Sequence, residues 1–334
     1  MNPQSTKKST ADRVYSLMTA LLGSSAFLFL FLIIGVLLIF GYPSIYVNGF
    51  KFLISGSWNT PTSASVVVVD GFKELQGASY GIWVFFVGTL LTSAMAIIIG
   101  VPVSLGVAVL LSQFAPRRVA SPISFCVELL AGIPSVIYGL WAFLVLFPIL
   151  VHNIEPALNK YLYFIPGFGG RVYGTPSGVL ASGLILSLMI VPIVASISRD
   201  AMAQTPIELT EGGRALGMTK WEVTRKIVLP YAKTGIIGSV ILGLGRALGE
   251  TMAVAIVCGG AGYLPTTIYG AINTMAAFMA LNFSDAGSDV SGMTTSALAE
   301  LALVLLAVTM IVNIVARLMV RRGFFSSAEH LVQV

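Results

Sequence analysis

Long apolar runs alternate with short polar, basic or glycine-rich joints along most of the chain. A hydrocarbon core about 30 Å thick takes about 20 residues of helix to cross. Six segments reach that length, at about 21–40, 80–111, 121–150, 176–197, 232–257 and 296–320. The first run is longer than the apolar region of a secretory leader and lacks a small-residue cleavage site, so it reads as a spanning helix. Ser121 and Pro122 read as the cap and first position of the third helix, and Pro134 interrupts it. Pro102 predicts a kink in the second helix, and Pro192 falls near the end of the fourth. Three polar connections, 43–79, 151–175 and 258–294, read as loops; the first holds the β-branched run Val66 to Val69. The pattern predicts an all-α polytopic membrane protein with six transmembrane helices.

Between the fourth and fifth spans lies a polar insert, residues 205–230. Thr205 has the chemistry of an N-cap, with Pro206 at the first helical position and Glu208 three residues after the cap. Gly217 suits the left-handed residue that ends such a helix. Thr219 and Glu222 repeat the capping box for a second helix, which Pro230 stops or kinks. Two short helices at an angle are expected.

Composition supports the membrane assignment. The chain is 56% hydrophobic and 10% charged, with a mean hydropathy of +0.91; soluble domains carry about 25% charged residues. The net charge of +5 is then first a topology signal. Lys7, Lys8, Arg13, Arg117, Arg118, Arg199, Arg214, Lys220, Arg225, Lys226, Lys233, Arg317, Arg321 and Arg322 fall on one side, against Lys51, Lys73, Lys160 and Arg171 on the other. The basic side is cytoplasmic, which places both termini and the insert there. Cys126 and Cys258 read as free thiols, with no disulfide or metal site. No phosphate-binding G-x-x-x-x-G-K-[ST] loop occurs, so any ATP that drives transport is hydrolysed by another subunit. GLGRALG at Gly243 to Gly249 lacks the third glycine and the preceding strand of a dinucleotide site, and no cofactor is expected. A DNA-binding helix-turn-helix is excluded by the apolar spans on both sides of the insert, so nucleic acid is not a partner.

Four ionisable residues fall within the predicted spans: Glu128, Arg246, Glu250 and Glu300. An intramembrane arginine costs roughly 3 kcal/mol, and such residues face protein or water. At about 100° per residue, Arg246 and Glu250 share a face with Gly235, Ser239 and Gly243, opposite Ile237, Ile241, Leu244 and Leu248. Leu242 is the exception, close to the charged side. A small-residue face packs on other helices, so the two charges are expected to point inward, four residues apart and within reach of one another. They read either as a structural ion pair or as an anion-responsive gate on the translocation path. Glu128 stands about two turns inside the third helix, where it pairs with a neighbouring helix or joins a gate. Glu300 lies near the outer end of the sixth helix, within reach of the headgroups.

The insert also carries a motif. Glu211, Gly212 and Gly213 are followed by Gly217 and then by Ile227, Leu229 and Pro230. This resembles the EAA loop of bacterial ABC importer permeases, with two glycines where that loop has two alanines. With AGIPSVIYGLW at Ala131 to Trp141 and GRALGETMAV at Gly245 to Val254, the chain is similar to the permeases of phosphate-specific ABC importers, and the TMAV ending to their C-type subunit. The resemblance covers most of residues 80–320. It implies a type I ABC importer permease fold, with a tail at 1–20, a first helix and external loop at 21–79, a permease domain at 80–322 with coupling helices at 205–230, and a tail at 323–334. It also implies a homologous second permease, a cytoplasmic ATPase dimer, an external phosphate-binding protein and residence in the bacterial inner membrane among lipids. Glu211, Gly217, Ile227, Leu229 and Pro230 would then couple to the ATPase, and Arg246, Glu250 and Glu128 would line the path of the anion. A sulfate or molybdate permease, a secondary transporter with Glu250 or Glu128 as proton relay, and a purely structural membrane subunit stay open as alternatives.

Overall fold

A computed structural model describes residues 10–61, 65–170 and 176–332; the predicted topology charges Lys7, Lys8 and Arg171 lie outside them. The helices are α1 (Thr10–Asn48), the single turn α2 (Lys51–Ile54), α3 (Trp83–Phe114), α4 (Arg117–Ala131), α5 (Ser135–Tyr161), α6 (Val179–Ala203), α7 (Ile207–Ala215), α8 (Lys220–Gly249), α9 (Met252–Val257), α10 (Met275–Ala286) and α11 (Met293–Val332). Among the described residues, six of these are long and apolar enough to span a membrane: α1, α3, α5, α6, α8 and α11. The chain is a multi-pass membrane protein.

α6 is the axis of the bundle. In its most apolar window 67% of the residues are enclosed, whereas none are in α1. Small residues let its neighbours close in. A Cβ added to Gly100 of α3 would lie 2.8 Å from Ile190 of α6, and one added to Gly243 of α8 would lie 2.8 Å from Val194. Close helix approach through small residues is how spans associate where lipid removes the hydrophobic drive. α1 touches the bundle through α11, where a Cβ on Gly41 would sit 3.3 Å from the backbone nitrogen of Glu300.

Three stretches depart from the pattern read along the sequence. The expected third span divides at Gly132–Pro134 into α4 and α5. Proline lacks the N–H for the helical ladder and drives the preceding residue out of the helical region. α4 starts at Arg117 behind Pro116, so Ser121 and Pro122 lie inside it rather than at a helix start. α5 runs on through residues 151–161, expected as loop, with π turns on either side of Pro148 that accommodate the missing hydrogen bond.

The second departure is at 258–294, which reads as loop, yet its stretch 267–278 is packed. Its segment 258–274 turns back onto the start of α6. The Gly178, Val179 and Leu180 amides donate to the carbonyls of Val257, Gly270 and Ile268 at 3.0, 3.3 and 2.9 Å. These bonds satisfy donors that a helix N-terminus leaves open. Tyr269, Ile272 and Met275 are buried there, and the Thr274 hydroxyl caps α10.

Third, the polar connection after α1 contains a hairpin, Val66–Val69 against Phe72–Leu75. Its turn residues Asp70 and Gly71 both have positive φ, at 50° and 88°, as a two-residue primed turn requires. Phe72 packs on Tyr42 and Tyr46 of α1, and Trp58 stacks edge-on to Tyr80, Phe85 and Phe278.

Candidate functional site

The insert between α6 and α8 folds as two helices, with one cap different from expectation. α7 begins behind Pro206, whose backbone is extended, and Thr205 caps nothing. The Thr205 amide closes the last turn of α6 by donating to the Met202 carbonyl at 3.2 Å, and its hydroxyl is buried with no hydrogen-bond partner among the described residues. The end of α7 matches the pattern. Gly217 takes φ +80°, and the Met218 amide reaches back to the Gly213 carbonyl at 3.1 Å, a Schellman closure. Thr219 and Glu222 form the reciprocal capping box, at 3.3 Å from the Glu222 amide to the Thr219 hydroxyl and 2.9 Å from the Thr219 amide to the Glu222 carboxylate.

Pro230 does not stop the second helix. α8 continues from Lys220 to Gly249, with a π turn at Thr224–Val228 just before the proline. The motif residues then divide by direction. Ile227 and Leu229 pack with Ala108, Met202, Val223 and Val228 at the foot of the bundle. Glu211, Gly217 and Pro230 are exposed, and so are Leu209 and Leu216, the latter 82% exposed. Gly212 and Gly213 are not equivalent. Gly212 faces open space, whereas a Cβ on Gly213 would lie 2.6 Å from Ile227 Cδ1, so the joint between α7 and α8 closes over the second glycine.

Higher in α8, the small-residue face packs on α6 as the wheel predicts: Gly235 against Ala201, Gly243 against Val194, and Ser239 hydrogen-bonded to Ser198 at 2.8 Å. Leu248, on the opposite side of the wheel, is buried too. Arg246 is half-buried; its Nε is buried without a hydrogen-bond partner among the described residues, and the group lies within electrostatic reach of the Tyr138 hydroxyl. The expected contact with Glu250 is not made. α8 ends at Gly249, Glu250 has extended backbone, and its carboxylate instead accepts from the Ala253 amide at 3.4 Å, at the start of α9. An i,i+4 contact requires an unbroken helix. Among the described residues no carboxylate is ion-paired with Arg246.

Glu128 is also placed differently. It lies on α4, outside the six spans, with a half-exposed side chain. Its carboxylate accepts from Arg199 of α6 at 3.0 Å, and Arg199 also binds Asp200 at 2.8 Å. Arg199 was visible in sequence only as one more basic residue before the insert; its partner is 71 residues away. Glu300 does not reach the headgroups. It is buried and accepts from the Ser44 hydroxyl at 2.6 Å, and Ser44 in turn accepts from Asn48 at 3.0 Å, which ties α1 to α11.

Residues 100–323 match the family described as "Binding-protein-dependent transport system inner membrane component". The "Phosphate transport system permease protein PstC 1" of Mycobacterium tuberculosis is 43% identical over 284 residues, 84% of each chain. The "Phosphate transport system permease protein PstC" of Haemophilus influenzae is 38% identical over 313 residues, 93% of each chain. Among solved structures, an inward-facing MetNI methionine ABC transporter aligns with a TM-score of 0.48 at 22% identity, covering 72% of this chain and 96% of that one. The chain belongs to the family of binding-protein-dependent transport system inner membrane components, alongside the PstC permease proteins.

Proposed function

We propose that this chain is a permease subunit of an ATP-driven importer of inorganic phosphate. It forms the translocation path with a second, homologous permease, and it couples to a cytoplasmic ATPase dimer through α7 and the start of α8. An external phosphate-binding protein delivers the anion. Both termini are cytoplasmic, as the distribution of lysine and arginine favours.

The observation that carries the reading is the continuity of α8. One helix runs from the Thr219 cap to Arg246, about 40 Å at 1.5 Å per residue. A displacement of the insert therefore reaches the arginine through one continuous helix, with the π turn before Pro230 as its bend point. At its far end the guanidinium carries a buried N–H with no acceptor among the described residues, a donor that a ligand oxygen can use. A tetrahedral oxyanion presents pairs of oxygens that match the planar fork of arginine. Glu250, at the break after α8, and Glu128, at the insert end of the bundle, are the other charged residues assigned to the path. The exposed Ile207, Leu209, Leu216 and Trp221 of the insert suit a protein partner more than water.

The substrate is supported by the names of the relatives and by the arginine, and it is tested by reconstitution. Proteoliposomes containing this chain, the second permease and the ATPase should take up radiolabelled phosphate only with ATP, and excess sulfate or molybdate should not compete. Uptake driven by a proton gradient without the ATPase would overturn the reading.

A further inference from the structure

A cleft of about 1010 Å³ opens beside the insert, between the end of α3, α4, the end of α6 and α7. Three guanidinium groups border it, each from a different helix: Arg117 opens α4, Arg199 stands near the end of α6, and Arg214 lies in the last turn of α7. Among the described residues, Glu128 is the one carboxylate in its lining. The buried hydroxyl of Thr205, without a hydrogen-bond partner among the described residues, also lies in this wall.

Charge in the cleft is not balanced. Arg199 is neutralised by Glu128 and Asp200. Among the described residues, neither Arg117 nor Arg214 is ion-paired with a carboxylate. A concave surface thus presents two guanidinium groups without a carboxylate partner among the described residues, and a third held by Asp200 through two nitrogens and by Glu128 through one. Like charges converging on one cleft focus field lines and concentrate counter-ions. An exposed ion pair such as Glu128–Arg199 is weak and screened by salt, so another oxyanion can exchange for it. A guanidinium accepts carboxylate and phosphate oxygens alike through charge-assisted hydrogen bonds, and Glu128 engages Arg199 through one oxygen.

We infer that this cleft is a second oxyanion site, for inorganic phosphate, at the insert end of the bundle, and that Glu128 occupies Arg199 as an internal surrogate when the site is empty. An anion there bridges Arg199 and Arg214 across the short link Gln204–Pro206, tying the end of α6 to α7 and to α4 through Arg117. The site deepens the importer reading by naming where released anion is held. It rests on that reading for the direction of transport alone, because every group in it belongs to this chain.

Binding of radiolabelled inorganic phosphate to the full chain in phosphatidylcholine nanodiscs tests the inference, without transport or partners. The measurement uses an Arg246→Ala background, so that the path arginine does not contribute. Saturable binding is expected, weakened by at least about tenfold in Arg199→Gln and in Arg214→Gln, the loss of one charge-assisted contact. Glu128→Gln removes the competing carboxylate and should tighten binding several-fold, a gain that misfolding cannot mimic. Unchanged affinity in Glu128→Gln, or parental affinity in both arginine variants, overturns the inference. Discs containing phosphatidylglycerol separate free phosphate from a lipid headgroup as the occupant. Phosphate binding that persists in them supports the inference, and binding abolished by the anionic lipid overturns it. The result is independent of whether reconstituted uptake succeeds.

Discussion

Replacing Gly217 with valine isolates the geometry of the joint between α7 and α8. The residue has φ +80°, and a Cβ there would meet nothing within 4 Å. The cost is therefore backbone strain rather than collision. A left-handed L-residue costs roughly 1–2 kcal/mol, and a β-branched one sits at the upper end. At 1.4 kcal/mol per tenfold, the turn that carries the Gly217–Arg214 and Met218–Gly213 bonds should lose about five- to thirtyfold in population. Asparagine tolerates the left-handed region far better than valine does. Capture of the ATPase and ATP-driven phosphate uptake should therefore fall in the order Gly, Asn, Ala, Val, with membrane insertion unchanged in all four. Parental capture and uptake by a normally inserted Gly217→Val protein would refute the role of this joint in coupling.

Gly212→Ala should raise the thermal stability of the purified protein by up to ~1 kcal/mol, because the position is open and helical. Gly213→Ala should lower it, because Ile227 must move, and equal effects of the two would contradict the packing described here. Ser44→Ala removes the donor to buried Glu300 and should cost about 1–3 kcal/mol, loosening α1 toward protease; an unchanged digestion pattern and melting point would argue against the tie. Single cysteines at Asp70 or Tyr263 should react with an impermeant thiol reagent in intact spheroplasts, and those at Arg117, Arg118 or Lys220 should not. The opposite pattern would reverse the proposed topology.

What was legible in the sequence was local. The capping box needs only Thr219 and Glu222, the left-handed turn only Gly217, and each span only a sufficient run of apolar residues; all three are present in the fold. The small-residue face of α8 was legible because helical periodicity alone aligns Gly235, Ser239 and Gly243. What was missed depends on distant partners or on where a helix breaks. The packed segment after α9 reads as loop because its backbone bonds go to α6, about 90 residues earlier in sequence. Glu300 reads as a headgroup residue because Ser44 stands 256 positions away. The Arg246–Glu250 contact was expected from spacing, and one break after Gly249 removes it. Glu128 reads as part of a span because the apolar run is continuous in sequence, and the break at Gly132–Pro134 divides it into two helices with separate surroundings.

The central claim is that Arg246 handles the anion. Its most direct test is ATP-driven phosphate uptake by Arg246→Ala and Arg246→Lys, compared at matched amounts of assembled complex. Both should fall by at least about tenfold, since lysine retains the charge but not the planar pair of donors. Parental uptake by the assembled Arg246→Ala complex would contradict the account.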